Sequence, residues 1–170
     1  MDINNLYSAL AKAETGAYSN PWIRTMVRGS NSSAFGPVQL TGGSGSMMAN
    51  IARGNANIGA TDEELDWIKN TFLQQGSNFL KYGGNDMVDG YERYDYGGTG
   101  DFSDTDKNMY ENISKKIMES EYKRLGNNLD LFIDQWRGTD DPEYKELVKN
   151  QLLQSDVLKE QGSDAFKNKG

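Results

Sequence analysis

The stretch DINNLYSALAKAETG, residues 2–16, decides how the rest of the chain is read. Ile3, Leu6, Leu10 and Ala13 recur at steps of three and four, the spacing that lines apolar side chains along one helix face. A helix over roughly residues 2–15 follows, with Gly16 expected as a left-handed stop and Pro21 beyond it. Glu14 stands four residues after Leu10, on the same stripe and in the last turn. A carboxylate there faces the negative end of the helix dipole and is partly desolvated; both effects disfavour its charged form. The bland account lets Glu14 reach solvent or pair with Lys12, Arg24 or Arg28. The sharper account makes it a general acid of the kind that cleaves glycosides.

Working outward, "RTMVRGSNSSAFGPVQL" (24–40) reads as two extended arms around a Gly/Ser/Asn turn, a small β-hairpin. A short helix is expected around Ser46–Arg53. "TDEE" from Thr61 is a capping box, opening a helix with Leu65, Ile68, Phe72, Phe79 and Leu80 inward and Gly83-Gly84 at its end. "YERYDYGGTGD" (91–101) reads as an aromatic, Gly-rich loop. Ser103 or Asp104 caps a helix that runs to Gly126, and Leu129, Phe132, Ile133 and Trp136 mark a shorter one stopped by Gly138. "DDPEYKELVKNQLL" restarts with Asp and Pro in first-turn positions. The prediction is one mainly α domain over 1–155 with a small hairpin, followed by a polar tail at 156–170.

Composition narrows the chemistry. With 170 residues the chain suits one domain with a real core. A net charge of −7 argues against binding nucleic acid by neutralising phosphates. No apolar run approaches the ~18 residues of a membrane helix, and "MDINNLYSAL" lacks the basic and apolar regions of a signal peptide. The chain has no Cys and no His, which removes thiol catalysis, Ser-His-Asp triads and ordinary hydrolytic zinc sites. Acid–base work must fall to Asp, Glu, Tyr or Lys. No metal or cofactor is expected: "YDYGGTGDFSDTD" does not fit an EF-hand, and "GGSGS" lacks the Lys-Ser/Thr of a phosphate loop.

In order, Glu14-Thr15, Asn20-Pro21, Ser33-Ala34-Phe35-Gly36-Pro37-Val38-Gln39, and Trp136-Arg137-Gly138 with Tyr144 and Val148 form a set. That set resembles the lysozyme-like lytic transglycosylases of the soluble-transglycosylase and goose-type lysozyme group, in particular those carried in bacteriophage virions. The family's elements are a Glu followed by Ser or Thr, an Asn-Pro, a "GLMQ"-like segment after Ser or Ala, and a "YNAG…Y…V" element. This chain departs in a longer Glu-to-Gln spacing, with "WIRTMVRG" inserted, in Val38 for the Met of "GLMQ", and in Trp136 for the usual Tyr.

The resemblance implies an α+β lysozyme-like fold whose hairpin flanks an active-site cleft. It implies cleavage of the bond between N-acetylmuramic acid and N-acetylglucosamine, with Glu14 protonating the glycosidic oxygen. Thr15, Ser33, Gly36, Gln39, Trp136 and Tyr144 then become substrate-binding candidates, and Tyr94 joins them as an aromatic able to stack on a sugar face. Gln39 offers both donor and acceptor, and Gly36 lets backbone approach a glycan closely. Gly36 also reads as an ordinary turn glycine, Gln39 as a surface amide and Trp136 as core. Asp95 or Asp101 is a candidate second carboxylate for an inverting lysozyme, or else part of a solvated, capping loop. The expected partners are peptidoglycan strands and other virion or tail proteins, and the expected place of action is the host cell wall. A non-catalytic structural virion protein on the same fold is the alternative.

Overall fold

Asp2 accepts a hydrogen bond from the Asn4 amide at 2.9 Å and so caps helix α1, Ile3–Thr15, whose Leu6 and Leu10 are fully buried. The computed structural model describes residues 1–17, 21–26, 34–73, 80–88, 91–96 and 103–167, and these are mainly helical. After α1 come strand β1 (Ile23–Met26), helices α2 (Met47–Ala52) and α3 (Asp62–Trp67), and one π-helical turn (Ile68–Phe72). Strands β2 (Leu80–Val88) and β3 (Tyr91–Tyr96) follow, then α4 (Asp104–Arg124), α5 (Leu129–Arg137) and α6 (Pro142–Lys167).

The caps of α3 and α4 are those the sequence announces. Ser46 caps α2, and Thr61 and Glu64 form a reciprocal capping box on α3. Ser103 does the same for α4 with Asp106, and Asn128 caps α5. Each cap satisfies amides that the first helical turn cannot bond internally. Gly138 closes α5 in the left-handed region at φ +86°, where a side chain would be strained. Helix α1 packs on α6 and α4, and α5 on α4 and α6, around Phe35, Phe72, Tyr110, Ile113, Met118 and Phe132. Burying each such side chain stabilises the fold by roughly 1.5–3 kcal/mol.

Several expectations are corrected. Gly16 is not a left-handed stop: it keeps right-handed geometry at φ −61°, and its amide still bonds to the Lys12 carbonyl at 3.0 Å. Glycine is suited there by crowding, because a Cβ would lie 2.4 Å from that carbonyl oxygen. The helix opened by Thr61 does not reach Gly83-Gly84. It loosens into the π turn at Ile68–Phe72, and residues 80–88 are strand. Nor is 91–101 all loop, since Tyr91–Tyr96 is strand β3.

Among the described residues, the hairpin expected over 24–40 is not seen. β1 pairs antiparallel with β3, Ile23 opposite Asp95 and Met26 opposite Glu92, while the second arm closes on itself through a Phe35–Leu40 bridge. β2 pairs antiparallel with the other edge of β3, giving the order β1-β3-β2, and the register shifts between Tyr82 and Met87 around the two glycines. Glycine inside a strand commonly marks such an irregularity. Helix α6 runs on to Lys167, through most of the stretch expected as a tail.

Candidate active site

Helix α1 brings Glu14 to its C-terminal end, and α6 brings Tyr144 to its first turn. The Tyr144 hydroxyl donates to Glu14 Oε1 at 2.7 Å, across 130 residues of chain. Tyr144 is 8% exposed. Burial, reinforced by the charge of Glu14 and by the hydrogen bond to it, pushes the phenol far above the ordinary tyrosine range. It therefore keeps its proton and acts as a fixed donor to the carboxylate. Asp141 sets this geometry: one carboxylate oxygen accepts from the Tyr144 amide at 3.1 Å, the other from Arg137 Nε at 3.3 Å. The Arg137 guanidinium lies over the Tyr144 ring, 5.2 Å from its centre.

The second component is the tight turn 35–40. The Phe35 amide bonds to the Leu40 carbonyl at 2.9 Å and the Leu40 amide to the Phe35 carbonyl at 3.1 Å. Buried Tyr110 pins the turn from below, donating its hydroxyl to the Phe35 carbonyl at 2.6 Å and accepting from the Leu40 amide at 3.3 Å. Gly36 sits at φ +82°, and a Cβ there would come 2.4 Å from the Tyr110 ring. Its glycine is thus required by close packing on an aromatic ring, a reason other than approach of a glycan. Trp22, just ahead of β1, stands edge-on to the same ring at 5.1 Å.

Thr15 and Trp136 tie the turn to the helices. The buried Thr15 hydroxyl lies 2.9 Å from the Pro37 carbonyl and 3.1 Å from that of Ala11, so its one proton is committed to backbone. Trp136 Nε1 donates to the Val38 carbonyl at 3.3 Å, and its ring stacks on Phe132 at 5.7 Å. Gln39 takes φ +60°, uncommon for a side-chain-bearing residue, and Nε2 donates to the Gly36 carbonyl at 2.9 Å. A cleft of about 270 Å³ opens beside it, lined by Gln39, Leu40, Met47, Phe132, Trp136 and Glu121 among others. Glu14 is not among its lining residues. Glu121 is the lone charged residue of that lining, and Arg124 grips both its oxygens, the shortest contact being 2.8 Å.

Of the residues singled out from the sequence, Glu14 and Tyr144 meet directly, Thr15 and Gly36 serve the turn, and Gln39 and Trp136 line the cleft. Tyr94 and Asp95 fall in β3, opposite Arg24 and Ile23 of β1, so Asp95 belongs to a strand rather than a loop. Ser33, Asp101 and Asn20 lie outside the described residues. Sequence reasoning missed Tyr110, Arg137, Asp141 and Glu121 as parts of the site. Only the i,i+4 spacing of Arg137 and Asp141 and the i,i+3 spacing of Glu121 and Arg124 signalled a pairing. Among the described residues no helix is long and apolar enough to cross a membrane. Scans against protein-family models, curated proteins and solved structures returned no match to this chain.

Proposed function

We propose that this chain is a lysozyme-like lytic transglycosylase that cuts peptidoglycan glycan strands, with Glu14 as its acid and base. The observation that carries the reading is the Tyr144 hydroxyl on Glu14 at 2.7 Å. The family pattern separates these two residues by most of the chain, and a bond between them has no local cause. Two further bonds join other pieces of that pattern, Thr15 to Pro37 and Trp136 to Val38. The mainly helical architecture agrees with the proposed fold.

In this mechanism Glu14, protonated, gives its proton to the oxygen between N-acetylmuramic acid and N-acetylglucosamine. The resulting carboxylate then takes the proton of the muramic 6-hydroxyl, which closes on the anomeric carbon as a 1,6-anhydro ring. One carboxyl performs both transfers in turn, and no water enters. An inverting hydrolase would instead need a second carboxylate spaced to hold a water, and a retaining one a nucleophile close to the acid. A fixed donor such as Tyr144 holds the carboxylate in one orientation between the two transfers. Gln39 and Trp136 bind sugar in the adjacent cleft, whose amide and aromatic lining suits an N-acetylated sugar. Such an enzyme, carried in a phage particle, opens the host wall locally during infection.

The alternative, a structural virion protein without catalysis, draws on the absence of Glu14 from the lining of the cleft. Mass analysis of products released from purified peptidoglycan decides. Anhydromuramic ends are expected; reducing ends alone would make the chain a lysozyme, and no release would leave the structural protein.

A further inference from the structure

Arg137 is the residue of the Glu14–Tyr144 cluster to which the proposed reaction gives no task. Its side chain is 43% exposed. Two contacts fix it: Nε donates to Asp141 at 3.3 Å, and the guanidinium plane rests over the Tyr144 ring. Among the described residues, its two terminal amines make no hydrogen bond. An exposed i,i+4 ion pair does little for stability. It does immobilise a guanidinium with its outer edge unoccupied. That edge, two parallel N–H groups, matches the two oxygens of a carboxylate. Stacking on a ring further restricts the side chain, so little freedom remains to be lost when an anion binds.

We propose that Arg137 is a substrate-recognition residue that takes a carboxylate carried on the muramic acid side of the substrate. This rests on the reading of the chain as a peptidoglycan-cleaving enzyme. Two sources present that chemistry: free carboxylates of the peptide stem, and the lactyl carboxylate bared where the stem has been removed.

The test compares three substrates: stem-bearing glycan strands, the same strands with stems removed by an amidase, and stem-bearing strands whose carboxylates are blocked as methyl esters. The wild-type protein should cleave stem-bearing strands with kcat/KM at least ~10-fold above the esterified ones, the scale of one charge-assisted pair. In Arg137→Gln that ratio should fall close to one, and in Arg137→Lys to an intermediate value. An unchanged ratio in Arg137→Gln, or a wild type that prefers neither stem-bearing nor stripped strands over the esterified ones, overturns the proposal. The stripped strands identify the source, because stem-bearing strands hold the lactyl carboxyl in amide linkage: a preference for stem-bearing strands assigns the stem, a preference for stripped strands alone the lactyl group. Because a ratio within one protein is read, a partly unfolded variant does not mimic the effect. Should the wild type cleave none of the three, the proposed function fails. Calorimetric binding of a soluble disaccharide-peptide and its methyl ester then decides the anion site, with equal affinities in wild type and Arg137→Gln overturning it.

Discussion

Buried Glu64 and half-buried Glu14 are two glutamates held in different ways. Glu64 lies at the start of α3, where the dipole favours negative charge. Its carboxylate accepts from the Thr61 amide at 2.8 Å and forms an ion pair with Lys116, whose ammonium also reaches the Gly59 carbonyl. Burial pushes its pKa up, but the Lys116 and Thr61 hydrogen bonds outweigh this and hold it below the usual carboxylate range. Glu14 lies at the end of α1, where the dipole opposes its charge, and the group donating to it in the Tyr144 pair is a neutral phenol. Glu64 is thus held by a cation and a cap, while Glu14 receives a hydrogen bond from a phenol. The difference teaches that position along the helix dipole sets what a carboxylate needs around it.

That contrast can be broken experimentally. The largest effect is expected from Glu14→Gln, which should keep the fold and lower release of muropeptides by at least ~10²-fold, the scale of a lost general acid. Activity close to wild type would end the assignment. Lys116→Met should do the reverse. It leaves Glu64, with a side chain 7% exposed, without its cation, and should cost about 2 kcal/mol, the scale of one hydrogen bond to a charged group. Melting should then fall by roughly 4–8 °C, while cleavage per folded molecule is retained.

The same pair sets a pH signature. Because the folded Glu64 pKa lies below its ordinary value of 4.5, its contribution to stability is complete above that value. It is lost as pH falls through the lower folded value. Melting curves of Lys116→Met should therefore decline less steeply below about pH 4.5 than those of the wild type. A parallel decline would remove Glu64 from the account of acid sensitivity.

Two smaller effects sharpen the comparison. Tyr144→Phe removes the donor but keeps the ring under Arg137, and cleavage should drop by about 10-fold, as for loss of one hydrogen bond to a charged group. A drop in stability without a drop in cleavage would make the tyrosine structural. Gln39→Ala should weaken cleavage several-fold while changing stability by less than about 1 kcal/mol, since it removes one half-exposed hydrogen bond. A large loss of stability with unchanged specific activity would assign Gln39 to the turn alone.

What was legible in the sequence followed from local physics. Thr61 with Glu64, Ser103, Gly138 and Pro142 are start and stop signals whose causes lie within a turn of the residue itself. Glu14 was legible by its place on an apolar stripe, and Tyr144 by its place in a known pattern. The sheet was not legible, because Phe79 and Leu80 continue a helical spacing and Gly83-Gly84 reads as a helix stop. Pairing of β3 with β1 depends on residues nearly seventy positions away. For the same reason Gly36 suggested an open approach to a glycan, when its neighbour is the ring of Tyr110 from a helix far along the chain. Arg137 was quoted as part of a motif, yet only its resting place on Tyr144 gave it a role.

The bond between Glu14 and Tyr144 also has a consequence in time. During synthesis the acid emerges from the ribosome well over a hundred residues before its partner. Residues synthesised at about 5–20 per second leave an interval of roughly 7 to 26 seconds in which α1 exists without Tyr144. Cutting activity, if it depends on that bond, is therefore withheld until synthesis has passed Tyr144, and fragments ending before it are inert. Under the proposed function, the acid gains its fixed donor only once the chain has been made as far as α6.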